Sequence, residues 1–181
     1  MRKKLIWLDA AAILLLLAAL VLFNLPPREA ERLPDTAAES APLGHAPGER
    51  LPDFTLTDLN GEVFSLSACR GKTVVINLWA TWCAPCVKEL PHFERLQRER
   101  DDVAVLALHS DLVTEDVAAY TARTEFDLRF AVDETGDIIR MLGGSTTLPQ
   151  TVVVDQNGVV TYNRVGSLSY EALRELADAA R

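Results

Sequence analysis

A continuous apolar run, Val74-Val75-Ile76-Asn77-Leu78-Trp79, leads into Trp82-Cys83-Ala84-Pro85-Cys86 and then into a helical pattern. This junction constrains the chain more than any other stretch. An unbroken apolar run of strand length is what a strand buried on both faces requires. Two cysteines separated by two residues, at a strand-to-helix junction, can close a disulfide within one helical turn. The first of them stands where the backbone donors of a helix N-terminus stabilise a thiolate. Thiol–disulfide exchange is the leading chemistry that these residues imply.

Further elements alternate around this junction. Phe54-Thr55-Leu56 and Val63-Phe64-Ser65 flank Asn60-Gly61, a hairpin signal. Residues 73–79 read as a buried strand, and 84–100 as a helix with Pro91 inside it. A kink is expected there, because proline removes a backbone donor and clashes with the preceding turn. Residues 103–109 form the next apolar strand. A helix over 114–124, capped by Thr114, follows, then a short strand over 129–132 and a short helix over 136–142. Residues 151–154 and 159–162 read as strands joined through Asp155-Gln156-Asn157-Gly158, a second hairpin signal. A helix over 169–180 is capped by Ser169 and carries Leu173, Leu176 and Ala177 on one face. Strand–helix–strand followed by a hairpin and a last helix predicts an α/β fold: a mixed central sheet with helices on both faces and an N-terminal hairpin.

The N-terminus differs from the rest. Arg2, Lys3 and Lys4 precede a run from Leu5 to Phe23 that only Asp9 interrupts. About 20 apolar residues span a bilayer core, and the basic cluster favours a cytoplasmic N-terminus. The expected organisation is therefore a cytoplasmic end (1–4), a transmembrane anchor (5–23), a Pro-, Ala- and Glu-rich flexible tether (24–48) and one folded domain (49–181). This places a single-pass protein in the cytoplasmic membrane with its domain in the extracytoplasmic space. A cleaved signal peptide is the alternative; Asn24-Leu25-Pro26-Pro27 is a poor cleavage site for one. Outside the cytoplasm disulfides form and persist. Of three cysteines, Cys83 and Cys86 pair naturally and Cys69 is left over, read as a small buried hydrophobe. The formal net charge of −8 argues against nucleic-acid binding, which needs a basic face.

Trp79-Ala80-Thr81-Trp82-Cys83-Ala84-Pro85-Cys86 resembles the active-site segment of the thioredoxin superfamily. Leu148-Pro149-Gln150-Thr151, just before a strand and roughly sixty residues later, resembles that superfamily's cis-proline loop. The anchor and tether, the N-terminal hairpin, Arg70-Gly71-Lys72 and Glu89 resemble its TlpA/ResA-like branch, the membrane-tethered extracytoplasmic thiol–disulfide oxidoreductases. One departure stands out. Cytoplasmic thioredoxins carry a buried aspartate six positions before the first cysteine, and here that place holds Asn77, which cannot ionise.

The resemblance implies roles for named residues. Cys83 is the nucleophile, Cys86 resolves the mixed disulfide, and Glu89 is the candidate proton acceptor for Cys86. The spacing of three residues between Cys86 and Glu89 is compatible with one shared helix face. Pro149, if cis, presents the backbone of Leu148 to a substrate strand beside Cys83. Trp82 belongs at the surface rim and Trp79 nearer the core. No cofactor or metal is called for. The implied activity is a disulfide reductase acting on extracytoplasmic protein thiols and disulfides. An apocytochrome c or an oxidase-assembly protein would be a client, and a membrane electron donor would supply reducing equivalents. An oxidase or isomerase would use the same residues. A soft-metal carrier is a further reading of CxxC, but haem attachment would need His where Val87 stands. A peroxidase reading lacks its proline, since Asn77 occupies that place. A purely structural disulfide would leave the Pro149 loop unexplained.

Overall fold

The computed structural model describes residues 38, 40–110, 114–124, 126–144 and 147–181. The anchor expected over 5–23 and most of the expected tether lie outside these. Among the described residues no helix is long and apolar enough to cross a membrane.

The chain builds a two-stranded hairpin, β1 (Thr55–Thr57) and β2 (Val63–Ser65), then a 3₁₀ turn at Ser67–Cys69. Next come β3 (Thr73–Trp79), α1 (Ala84–Glu99), β4 (Val103–His109), α2 (Thr114–Thr121), β5 (Phe130–Val132) and α3 (Asp137–Met141). The fold closes with β6 (Gln150–Val154), β7 (Val160–Val165) and α4 (Tyr170–Ala179). The five-stranded sheet has the order β5-β4-β3-β6-β7. β3, β4 and β5 run parallel, and β6 is antiparallel to both its neighbours. The sheet is mixed, as the alternation of elements predicts.

β3 is central and buried along its whole length, which is why its sequence is apolar without alternation. Its two faces feed different layers. Val75 and Trp79 pack with Cys86, Leu90, Phe93 and Leu96 of α1 and with Leu173 and Ala177 of α4. Val74, Ile76 and Leu78 pack with Phe54 and Phe64 of the hairpin, and α3 lends Ile138, Ile139 and Met141 to the same layer. Each fully buried large apolar side chain contributes about 1.5–3 kcal/mol, so both layers hold β3 firmly. In the hairpin turn, Asp58 Oδ1 accepts from the N–H groups of Asn60 and Glu62, both at 2.9 Å. Gly61 takes φ +82°, a left-handed conformation that suits glycine.

Several boundaries differ from the sequence expectation. α1 holds Pro91 inside it, exposed, as expected, and ends at Glu99, one residue short of the expected limit. α2 stops at Thr121, where separate turns through Arg123 and Thr124 take over. β7 is longer than expected, because Asn163, Arg164 and Val165 keep pairing with β6 although the apolar pattern has ended. The folded unit also begins before Glu49. Gly48 donates to Val160 O, Val160 donates to Glu49 O, and Gly44 donates to Arg50 O, so residues 43–50 are fastened by main-chain bonds that their composition does not announce.

Candidate active site

β3 delivers the chain to the site. Its last residue, Trp79, is fully buried against Tyr120 and Phe130, at ring separations of 5.4 Å each. His109, at the matching end of β4, stands edge-on to Trp79 at 5.2 Å. His109 is 1% exposed, and its Nε2 accepts the Thr81 N–H at 3.2 Å. Ser110 N–H adds a bond to Trp79 O at 2.8 Å. The short approach to Cys83 is thus supported from β4.

Cys83 is the N-cap of α1, in extended conformation, and Pro85 lies in the first helical turn. A proline there loses no hydrogen bond, since the first N–H groups of a helix have no partner within it. Cys83 and Cys86 form a disulfide with Cα atoms 5.3 Å apart. Cys83 is 5% exposed and Cys86 fully buried, so the first cysteine is the one within reach of a partner. Trp82 projects beside it, 66% exposed.

The Leu148–Pro149 peptide bond is cis. The β3–β6 register ends with Leu78 opposite Gln150, which sets Pro149 at the Trp79 end of the sheet. Leu148 packs against the core cluster that contains both cysteines. Gly166 N–H donates to Pro149 O at 2.8 Å, tying this loop to the end of β7.

Glu89 lies one turn beyond Cys86 on α1 and is 2% exposed. Its Oε1 accepts from Asn77 Nδ2 at 2.8 Å, and its Oε2 accepts from Leu168 N–H at 2.9 Å. Burial pushes the Glu89 carboxyl above the usual glutamate range, while these two bonds and the charge of nearby His92 pull in the other direction. Asn77 and Thr151 face each other across β3 and β6 on the α1 side of the sheet. Asn77 Oδ1 and Thr151 Oγ1 are buried without hydrogen-bond partners among the described residues. Cys83, Cys86, Glu89, Leu148, Pro149 and Trp82 therefore all belong to one end of the molecule. Cys69 lies elsewhere, half-buried at the end of the 3₁₀ turn, with its thiol pushed up by burial.

A redoxin family model matches residues 46–180. The chain belongs to the redoxin family. Among curated relatives, it is 34% identical over 130 residues to the thiol-disulfide oxidoreductase ResA of Bacillus thuringiensis, covering 71% of this chain and 75% of that one. It is 32% identical over 140 residues to the thioredoxin-like protein YneN of Bacillus subtilis, covering 75% and 81%. Among solved structures, it is similar to a candidate DsbE-type thiol:disulfide interchange protein from Chlorobium tepidum, at TM-score 0.68 and 30% identity, over 75% of this chain and 97% of that one. The fold is thioredoxin-like, and this redoxin is a protein thiol–disulfide oxidoreductase.

Sequence reasoning missed three members of this redoxin's site. Asn77 reads as a departure from the family pattern, and its bond to Glu89 emerges only in the fold. A polar residue in an otherwise unbroken apolar strand, in phase with Val75 and Trp79, was the available signal. His109 carried a similar one, as the polar end of an apolar run. The Leu168 main chain carried none.

Proposed function

We propose that this redoxin is an extracytoplasmic disulfide reductase, with Cys83 as nucleophile, Cys86 as resolving thiol and Glu89 as proton acceptor. The observation that carries the reading is the buried Glu89 carboxylate one turn beyond Cys86, held by neutral donors and with raised proton affinity. In the reduced protein the Cys83 thiolate, at the N-terminus of α1, attacks one sulfur of a partner disulfide. A mixed disulfide forms, and the partner's other sulfur leaves as a thiolate. Cys86 then passes its proton to Glu89 and attacks Cys83 Sγ. The Cys83–Cys86 bond forms as the bond to the partner breaks, so the partner is reduced by two electrons and this protein oxidised. A carboxylate with a raised pKa is better matched to a thiol than an ordinary one.

Trp82 and the Leu148–Pro149 segment form the rim that receives the partner chain. Pro149 has no N–H, so it presents no donor to the Cys83 thiolate. Residues 5–23 anchor the protein, the residues after them lead into the folded domain, and the anchor keeps the domain close to a membrane electron donor that re-reduces it. Clients are secreted protein disulfides, with an apocytochrome c or an oxidase-assembly protein as the expected class. The resemblance to the TlpA/ResA-like branch supports these last points.

The test is the redox equilibrium of the full-length protein, purified in detergent, against glutathione. A reductase equilibrates well on the reducing side of glutathione. An equilibrium as oxidising as that of a disulfide-forming catalyst would sink the reductase direction while leaving the cysteine roles intact.

A further inference from the structure

The loop between β7 and α4 crosses α1 beside the site and is held there by two side chains one turn apart. Glu89 Oε2 accepts the Leu168 N–H at 2.9 Å. His92 Nδ1 lies 3.0 Å from Leu168 O. A carbonyl has no hydrogen to give, so Nδ1 carries the proton and donates. The main chain of Leu168 is thus gripped on both sides, by an acceptor before its Cα and a donor after it. The same loop sends the Gly166 N–H to Pro149 O. His92 is half-buried, and the carboxylates that feel its charge are Glu89 on its own helix and Glu171 on α4.

We propose that His92 is a positioning residue for the proton acceptor: its Nδ1–H fixes the Leu168 main chain, and the Leu168 N–H in turn aims the Glu89 carboxylate. The proposal rests on the role given to Glu89 above. Its physical basis is the origin of the two bonds that hold the carboxylate. Asn77 is on the central strand and is rigid. The Leu168 N–H comes from a connecting segment, outside any helix or strand, and such segments open more readily than the elements they join. A carboxylate misplaced by about 1 Å can cost as much as 100-fold in a step that depends on it. The step at stake is the second one. Cys86 gives its proton to Glu89, the Cys83–Cys86 bond forms, and the bond between Cys83 and the departing sulfur breaks.

The experiment is a single turnover of the reduced full-length protein, in a Cys69→Ser background, with one equivalent of dithiobisnitrobenzoate. Attack by Cys83 releases one thionitrobenzoate, and resolution by Cys86 releases the second. With His92→Phe, the first release keeps its rate and the second slows about tenfold. With His92→Asn, whose Nδ2–H takes the place of Nδ1–H, the second release returns to within about twofold of the parent. In a Glu89→Gln background, His92→Phe adds no further slowing, because the group it positions no longer accepts a proton. An unchanged second release in His92→Phe overturns the proposal. So does equal slowing in His92→Asn, and so does a full His92→Phe effect in the Glu89→Gln protein. If Glu89→Gln itself resolves at the parent rate, Glu89 leaves the mechanism, and the positioning role falls with it.

Discussion

The two ends of α1 treat carboxylates in opposite ways. Near its start, Glu89 is buried and held by an amide and a backbone N–H, and its proton affinity is raised. Just past its end, Arg100 donates to Asp102 at 2.8 Å and to Asp178 at 2.7 Å, and Arg181 reaches Asp102 at 3.2 Å. Asp102 is pulled down to about 2, chiefly by its hydrogen bond from Arg100. A carboxylate beside a guanidinium is locked as an anion and has little use for a thiol's proton. One surrounded by neutral donors stays exchangeable. The first arrangement fastens α1 to the start of β4 and to α4, and the second leaves a buried, exchangeable carboxyl one turn beyond Cys86.

The largest effects belong to the cysteines. Cys83→Ala should remove all disulfide reduction, and Cys86→Ala should accumulate mixed disulfides on Cys83, seen as adducts on non-reducing gels and named by mass spectrometry. If Cys83→Ala traps as well as Cys86→Ala, the order of attack is reversed. Next comes Glu89→Gln, which keeps the shape and one acceptor oxygen but turns the other into a donor and loses the charge. It should slow the resolving step about 100-fold, within the range for lost acid–base assistance. Stopped-flow release from a preformed Cys83 adduct measures it, and a rate within error of the parent would end the contrast between the two ends of the helix.

Stability against pH separates the ends by sign. Glu89 binds its proton more tightly in the folded than in the unfolded chain. Its contribution is fully present below 4.5, the ordinary glutamate value, and is lost as pH rises through the raised folded value. Asp102 binds its proton more weakly when folded. Its contribution is present above 3.8 and is lost as pH falls towards about 2. Urea unfolding across the two windows should therefore show Glu89→Gln flattening the upper slope and Asp102→Asn flattening the lower. The reverse assignment would contradict both environments. The smallest effect is Asp102→Asn at neutral pH. Its side chain is 38% exposed, so solvent screening limits the loss to about 1 kcal/mol or less. Its thiol-exchange rates should match the parent; a changed rate would mean that the two ends of α1 communicate.

Legibility in the sequence follows the same division between local and remote contacts. β3 reads with its true limits, because Thr73 to Trp79 is buried on both faces and no alternation blurs it. The hairpin reads from Asn60-Gly61, and α4 from Ser169, whose side chain accepts the Ala172 N–H. The far part of β7 does not read, because an edge strand keeps its ladder with polar residues as easily as with apolar ones. At the site, the cysteines and the Pro149 loop are visible as motifs. The clasp around Glu89 is not. Asn77–Glu89, Leu168–Glu89 and His92–Leu168 join residues from 12 to 79 positions apart, and no local periodicity encodes such bonds.

The Arg100 cluster also decides how this molecule can be handled. Thr73 and Val103 begin the parallel strands β3 and β4, and Asp102 sits at that beginning, where Arg181 is fastened. Seven residues of β3 separate it from the Trp79 end, roughly 20 Å of strand. A linker fused after Arg181 therefore departs from the pole opposite the disulfide. Attached to a bead or an electrode by that end, the protein would face its cysteines outward into solution.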